Sequence, residues 1–122
     1  MIIGEFSKKT GISCSALRYY EEKGLIHSKR DFGNRRIYDD TDIEWVKFLL
    51  RLKRTGMSLH EMKKYAQLRY LGDSTLSERF EILKKHANYV KEQKEIWEEC
   101  ERNLHEKIDW YKEQLQLQNR TK

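Results

Sequence analysis

Gly11-Ile12-Ser13-Cys14-Ser15-Ala16-Leu17-Arg18-Tyr19-Tyr20-Glu21-Glu22-Lys23-Gly24-Leu25 reads as a short helix with its own start and stop signals. Gly11 suits the left-handed residue that ends a preceding helix. Ser13 suits an N-cap whose hydroxyl accepts from the first free amides, and Gly24 closes the far end. Between them Leu17 points one way, while Ser13, Ser15, Arg18 and Tyr19 offer hydroxyls, a guanidinium and a phenol on the other faces. Such side chains beside a helix N-terminus suit a phosphate backbone and base edges, because side-chain charge and helix dipole both attract anions. An ordinary solvated surface helix is the alternative at this point.

Upstream, Ile3, Phe6, Ser7 and Thr10 recur at helical spacing, so residues 2–10 form a helix and Gly11 supplies the turn. Together these make a helix-turn-helix. Downstream, Leu25-Ile26 and Ile37-Tyr38 flank a polar loop in which Gly33-Asn34 can adopt positive φ, which predicts two short strands and a turn. The tip of this wing, Lys29-Arg30-Asp31-Phe32-Gly33-Asn34-Arg35-Arg36, is basic and suited to neighbouring phosphates or a minor groove, unless it is simply a solvated loop. Asp39 and Asp42 then open a mostly buried helix carrying Ile43, Trp45, Val46, Phe48, Leu49, Leu50 and Leu52, ended by Thr55-Gly56. Ser58-Leu59-His60-Glu61 is a capping-box sequence, and Leu59, Met62, Tyr65 and Ala66 make one face of a helix to about Leu71.

Gly72-Asp73-Ser74 predicts a hinge, and no glycine or proline follows it. Residues 75–117 form one helix in which Leu76, Phe80, Leu83, Ala87, Val90, Lys94, Trp97, Glu101, Leu104, Ile108, Tyr111 and Leu115 alternate spacings of four and three. Ile82, Tyr89, Ile96, Trp110 and Leu117 widen that seam. The helix would be about 60 Å long, against a gyration radius of roughly 14 Å for a compact chain of this size. A partner chain must therefore cover the seam. Lys94 and Glu101 interrupt it at successive core positions, where they can meet a counterpart across a two-fold axis or set register. The expected organisation is a 1–71 domain, a 72–74 hinge, a 75–117 dimerisation helix and a 118–122 tail.

With 122 residues there is no room for a second sizeable core. No apolar run approaches a membrane span and no signal segment opens the chain, so a cytoplasmic protein is expected. The net charge of +5 is unevenly placed: residues 1–38 hold eight Lys/Arg against four Asp/Glu, whereas residues 39–122 hold seventeen against sixteen. The excess lies where a polyanion would dock. Cys14 and Cys100 are far apart, and His27, His60, His86 and His105 stand alone, so no disulfide framework, metal site or cofactor is expected. A Gly-rich phosphate loop, a nucleophile-base pair and a paired-carboxylate pocket are all missing from the pattern, which disfavours an enzyme.

Ile3-Gly4-Glu5-Phe6-Ser7-Lys8-Lys9-Thr10-Gly11-Ile12-Ser13, Leu17-Arg18-Tyr19-Tyr20-Glu21, Gly24-Leu25-Ile26, Arg36-Ile37-Tyr38 and Asp42-Ile43 together resemble the DNA-binding domain of the mercury-resistance-regulator (MerR) family of bacterial transcription factors. The resemblance spans about Met1 to Leu71. Two departures stand out. His27-Ser28 replaces the proline pair that often follows Gly-Leu-Ile, and Asn34-Arg35-Arg36 replaces the wing's usual Gly-Tyr-Arg.

The resemblance implies a mainly α protein: a winged helix-turn-helix followed by a long helix that pairs as an antiparallel coiled coil in a homodimer. It also implies promoter double-stranded DNA as partner, distortion of that operator in response to an unknown signal, and RNA polymerase as a further partner. Arg18 and Tyr19 would read or position the major groove, with Tyr20 supporting them or touching phosphate. Arg35, Arg36 and Tyr38 would hold the wing, and Ser13, Ser15, Ser58 and Lys63 are lesser contacts. Arg18 and Arg36 carry the fork geometry that suits phosphate or guanine edges.

Leu83, Val90, Trp97, Leu104, Ile108 and Tyr111 are the expected dimer contacts. A separate effector domain is not expected, nor is the cysteine that some short relatives carry in the helix after the wing, since residues 39–55 contain none. Cys100 and Cys14 are left as candidate sensors or as small packed residues. The competing reading is a coiled-coil interaction or scaffold protein whose N-terminal domain binds another protein.

Overall fold

The computed structural model describes residues 1–121. Its elements in order are α1 (Ile3–Thr10), α2 (Cys14–Glu22), β1 (Lys29–Arg30), β2 (Arg36–Ile37), α3 (Asp40–Arg54), α4 (Leu59–Leu71), a 3-10 turn (Asp73–Thr75) and α5 (Leu76–Arg120). Local chemistry accounts for most of the boundaries. Gly11 takes φ 72° and its amide bonds to the Ser7 carbonyl, ending α1. The Ser13 hydroxyl accepts from the Ala16 amide at 3.1 Å, starting α2. At the other end of α2 the Gly24 amide donates to the Glu21 carbonyl and the Leu25 amide to the Tyr20 carbonyl, at 3.0 and 2.9 Å. That pair of bonds is a Schellman closure, and Gly24 at φ 77° supplies the left-handed residue it requires. The same closure ends α3, with Gly56 bonding to Lys53 and Met57 to Leu52.

Asp39 and Asp42 form a reciprocal capping box at the start of α3. Ser58 accepts from the Glu61 amide at 3.1 Å, so the first half of the expected box at α4 is present. Leu59, expected on the packed face of α4, is instead exposed, because it sits in the first turn beside the cap.

The strands differ from expectation. Leu25 and Ile26 are buried core residues outside any strand, and pairing begins at Lys29, with Lys29 opposite Ile37 and Arg30 opposite Arg36. The hairpin is so short that its two residues per strand carry no apolar alternation, leaving Leu25-Ile26 free to enter the core. β2, the strand on the body side, is steadied by a bridge between Ile2 and Ile37 and by the Tyr38 amide donating to the Met1 carbonyl at 2.7 Å.

Two compact units result, one from Met1 to His86 and one from Ala87 onward. Phe6, Leu17, Leu25 and Val46 are fully enclosed at the centre of the first, so α1, α2, α3 and the start of the wing share one core. Trp45 joins it from α3, its indole N–H donating to the Leu25 carbonyl at 2.9 Å. The 72–75 turn is closed by hydrogen bonds: the Thr75 hydroxyl donates to the Leu68 carbonyl at 2.6 Å, and Arg79 donates to both Thr75 Oγ1 and the Gly72 carbonyl. Ile82 and Leu83 then pack on the core, and His86 Nε2 lies 2.7 Å from Thr55 Oγ1.

The second unit is the remainder of α5. This 45-residue helix continues to Arg120, so Gln118, Asn119 and Arg120 of the expected tail are helical, and Lys122 lies outside the described residues. No breaker precedes Thr121, which is why the helix outlasts its apolar seam. Among the described residues, no helix is long and apolar enough to cross a membrane.

Candidate nucleic-acid interface

The face of α2 starts from the helix cap. Ser13 is exposed, its oxygen accepts from the Ala16 amide and lies 3.2 Å from the Ser15 hydroxyl, so Ser13 caps the N-terminus while its O–H is left to donate to Ser15 or outward. One turn on, Arg18 is exposed, and among the described residues no carboxylate lies within ion-pair range of it. Tyr19 is also exposed, with the Lys23 ammonium 5.6 Å from its ring centroid. Ser15, Arg18 and Tyr19 are thus presented together to solvent on a helix anchored from behind by buried Leu17.

Tyr20 is placed otherwise. It is buried, and its hydroxyl accepts from Lys53 Nζ at 3.3 Å, so it fastens α2 to α3 rather than facing a groove. Leu17 and Tyr20 are three residues apart on the inward side of α2, which carries the tyrosine into the core.

The wing is joined to α2 through one carboxylate. Glu21 accepts from Ser28 Oγ at 2.5 Å with one oxygen and pairs with Arg36 Nε through the other. Arg36 is therefore half-buried and paired, a placement that suits holding the wing and engages part of the fork its sequence position offers to phosphate or guanine edges. Tyr38 is buried too, its ring stacked on Phe6 at 4.1 Å. Its hydroxyl has no hydrogen-bond partner by geometry. Burial pushes the Tyr38 phenol up, and the nearby Glu21 charge adds to this, so the group stays neutral. Arg36 and Tyr38 thus set the wing's position.

At the tip, the Asn34 amide donates to the Asp31 carbonyl and the Asp31 amide to the Arg35 carbonyl, each at 3.0 Å. Asn34, not Gly33, takes the left-handed conformation, at φ 60°. Asp31 accepts from the Arg35 amide at 2.9 Å and from Arg35 Nε at 3.1 Å. The backbone donation, reinforced by the guanidinium charge, holds the Asp31 carboxyl below its ordinary range. Arg35 remains largely exposed despite this pair, and Lys29 and Arg30 are exposed beside it. Reading the tip as a basic run leaves Phe32 without a role. The available signal was a large aromatic residue in the middle of a turn of charged residues.

Ser58 is exposed at the α4 N-terminus with its oxygen used as a cap, and Lys63 is half-buried. Among the described residues no hydrogen bond or ion pair joins either to α2 or the wing. Cys14 is half-buried, its thiol 3.9 Å from the Ile3 carbonyl, whereas Cys100 is exposed on α5. Of the expected dimer contacts, Leu83 packs against the first core and Val90 is half-buried. Trp97, Leu104, Ile108 and Tyr111 are exposed. Lys94 pairs within its own helix, 3.8 Å from Glu98. Among the described residues, no group of three or more His, Cys, Asp or Glu is placed to hold a metal ion.

Comparison with known proteins matches this arrangement. The model of the MerR HTH family of regulatory proteins covers residues 1–69. The HTH-type transcriptional regulator YyaN of Bacillus subtilis (strain 168) is 34% identical over 122 residues, covering 89% of this chain and 88% of that one. An HTH-type transcriptional regulator of Haemophilus influenzae is 38% identical over 87 residues, which are 70% of this chain and 64% of the relative, so the match leaves about a third of that protein unspanned. In three dimensions the chain superposes with a TM-score of 0.83 on HiNmlR, a MerR family regulator lacking the sensor domain and bound to promoter DNA, at 32% identity and with 92% and 90% of the two chains covered. The chain belongs to the MerR HTH family of regulatory proteins.

Proposed function

We propose that this protein is a cytoplasmic, homodimeric, sequence-specific DNA-binding transcription regulator that distorts promoter DNA in response to a signal its sequence does not name. The observation that carries the reading is the outward display of Ser15, Arg18 and Tyr19 on a capped helix whose neighbouring basic hairpin is fastened to it through Glu21. That HiNmlR, similar over nine-tenths of the chain, is bound to promoter DNA supports it. Arg18 and Tyr19 enter the major groove, Arg35 with Lys29 and Arg30 grips the adjoining backbone, and Tyr20, Arg36 and Tyr38 hold these groups in place. Ser58 and Lys63 are secondary phosphate contacts.

In this reading residues 1–71 bind DNA, and the helix beyond pairs antiparallel with a second copy through Val90, Trp97, Leu104, Ile108 and Tyr111. Leu83 joins at the edge of that seam, and RNA polymerase is the downstream partner. The seam supports this because apolar side chains so numerous along one exposed helix are not tolerated in water.

The test is a salt series with Arg18→Ala on duplexes recovered by selection from random-sequence DNA. The variant should remain folded and dimeric while losing about 1–3 kcal/mol of operator affinity. Loss of a phosphate contact would flatten the slope of log affinity against log salt by about one unit, and loss of a base contact would relax sequence preference. A parent protein that selects no duplex would put the scaffold reading ahead.

A further inference from the structure

We propose that Phe32 is an apolar wedge that enters the minor groove of the bound duplex and partly unstacks one base step. The inference rests on the DNA-binding reading above and adds to it a contact of different chemistry. Phe32 has a relative exposure of 114%, the highest among the large apolar residues described. A phenyl ring so displayed is costly in water, and nothing in the fold requires one at a hairpin tip.

The tip is held rigidly. The Asn34-to-Asp31 and Asp31-to-Arg35 backbone bonds close the turn on both sides of Phe32, and the Asp31 carboxylate clamps Arg35 through its amide and its guanidinium. The ring is therefore displayed before any ligand arrives, with little ordering cost on binding.

The surroundings select the occupant. From residue 29 to residue 36 every other side chain is charged, amide or absent, so Phe32 lacks the apolar neighbours that a protein-docking patch would provide. Lys29 and Arg30 are exposed, and among the described residues neither has an ion pair. A lone ring beside two cations without a carboxylate partner, Lys29 and Arg30, the latter donating to the Asn34 carbonyl at 3.1 Å, matches the minor groove, whose negative potential draws the cations and whose base steps accept inserted apolar side chains. The bond from Arg36 to Glu21 fixes this tip to the helix assigned to the adjoining major groove, so both elements engage one duplex together.

The test uses the full-length chain and a selected duplex carrying 2-aminopurine at successive positions beneath the wing. Parent protein should raise the probe's fluorescence at one step. Phe32→Ala should remove that rise and weaken binding about tenfold, the order expected for losing much of a phenyl ring's burial. The salt slope should not change, since no phosphate contact is lost. Phe32→Trp should restore both signals.

Binding by Phe32→Ala within twofold of the parent would overturn the wedge while leaving the DNA-binding reading intact. So would the absence of a fluorescence rise at every step with the parent. A variant that keeps DNA affinity but sediments as a smaller species would assign the ring to a second copy of the chain. A parent that selects no duplex would overturn this proposal and the reading beneath it together.

Discussion

Leu17 and Leu104 are both leucines on helices rich in charge, yet one is fully enclosed and the other 64% exposed. The first unit meets its apolar residues with one another. α1, α2 and α3 fold back at glycine-closed ends, so Phe6, Leu17, Leu25 and Val46 converge although they are up to forty residues apart in the chain. The second unit never turns. α5 runs unbroken from Leu76 to Arg120, so Trp97, Leu104, Ile108, Tyr111 and Leu115 lie along one helix with no turn between them to bring them together, and all five are exposed on it. Hydrophobic pattern alone therefore does not decide burial in this chain. The placement of turns does.

The sharpest way to break this contrast is to make the second unit polar. Leu104→Glu with Ile108→Glu would leave α5 as compatible with solvent as any charged helix, but would place unpaired charge in the proposed seam at a cost of about 3–5 kcal/mol for each buried carboxylate. Sedimentation at micromolar concentration should fall from about twice the chain mass to the chain mass, while the first unit keeps its cooperative unfolding. An unchanged mass would mean that these residues do not meet a partner.

The complementary change attacks the first unit. Phe6→Ala removes a fully buried ring that stacks on Tyr38, and should destabilise Met1–His86 by about 3–5 kcal/mol in denaturant titrations. Substituting an exposed seam residue, Trp97→Ala, should leave that unfolding transition in place and weaken only self-association.

Helix ends were legible in the sequence because their signals are local. Ser13, Asp39 with Asp42, Ser58, Gly11, Gly24 and Gly56 each act on amides or carbonyls within a few residues. What stayed hidden depends on pairs distant in the chain. Arg36 and Glu21 are fifteen residues apart, and both are residue types that ordinarily face water, so nothing in the pattern announces that they neutralise one another. Tyr20 and Tyr38 have amphipathic side chains equally suited to a groove or a core, and only the positions of Lys53 and Phe6 decide between them. The hairpin's paired residues were obscured for a simpler reason, since Lys29, Arg30 and Arg36 carry no strand signature.

The smallest effect distinguishes the titrating cap from the core it serves. Asp39 is held below the ordinary carboxylate range chiefly by the Thr41 hydroxyl and then by the Asp42 amide. A depressed folded-state pKa means that its contribution is present above the unfolded pKa and is lost as pH falls through the folded one. Asp39→Asn keeps an N-cap oxygen but cannot titrate, so it should flatten the acid limb of the first unit's stability profile and change little near neutrality. Thermal melts from neutral to acid pH read this directly. A variant as acid-sensitive as the parent would move the dependence to other carboxylates.

The turns that shape the first unit are made by left-handed glycines, and the chain contains no proline. In the unfolded ensemble every peptide bond is therefore essentially trans, and no molecule waits on isomerisation before it can refold. Two processes of different concentration dependence then remain to set the pace of folding. One is collapse of the first unit, which is independent of how many chains are present. The other, in the proposed homodimer, is the meeting of chains, which quickens as they are concentrated, so a refolding phase that speeds with concentration belongs to encounter between molecules rather than to memory within one.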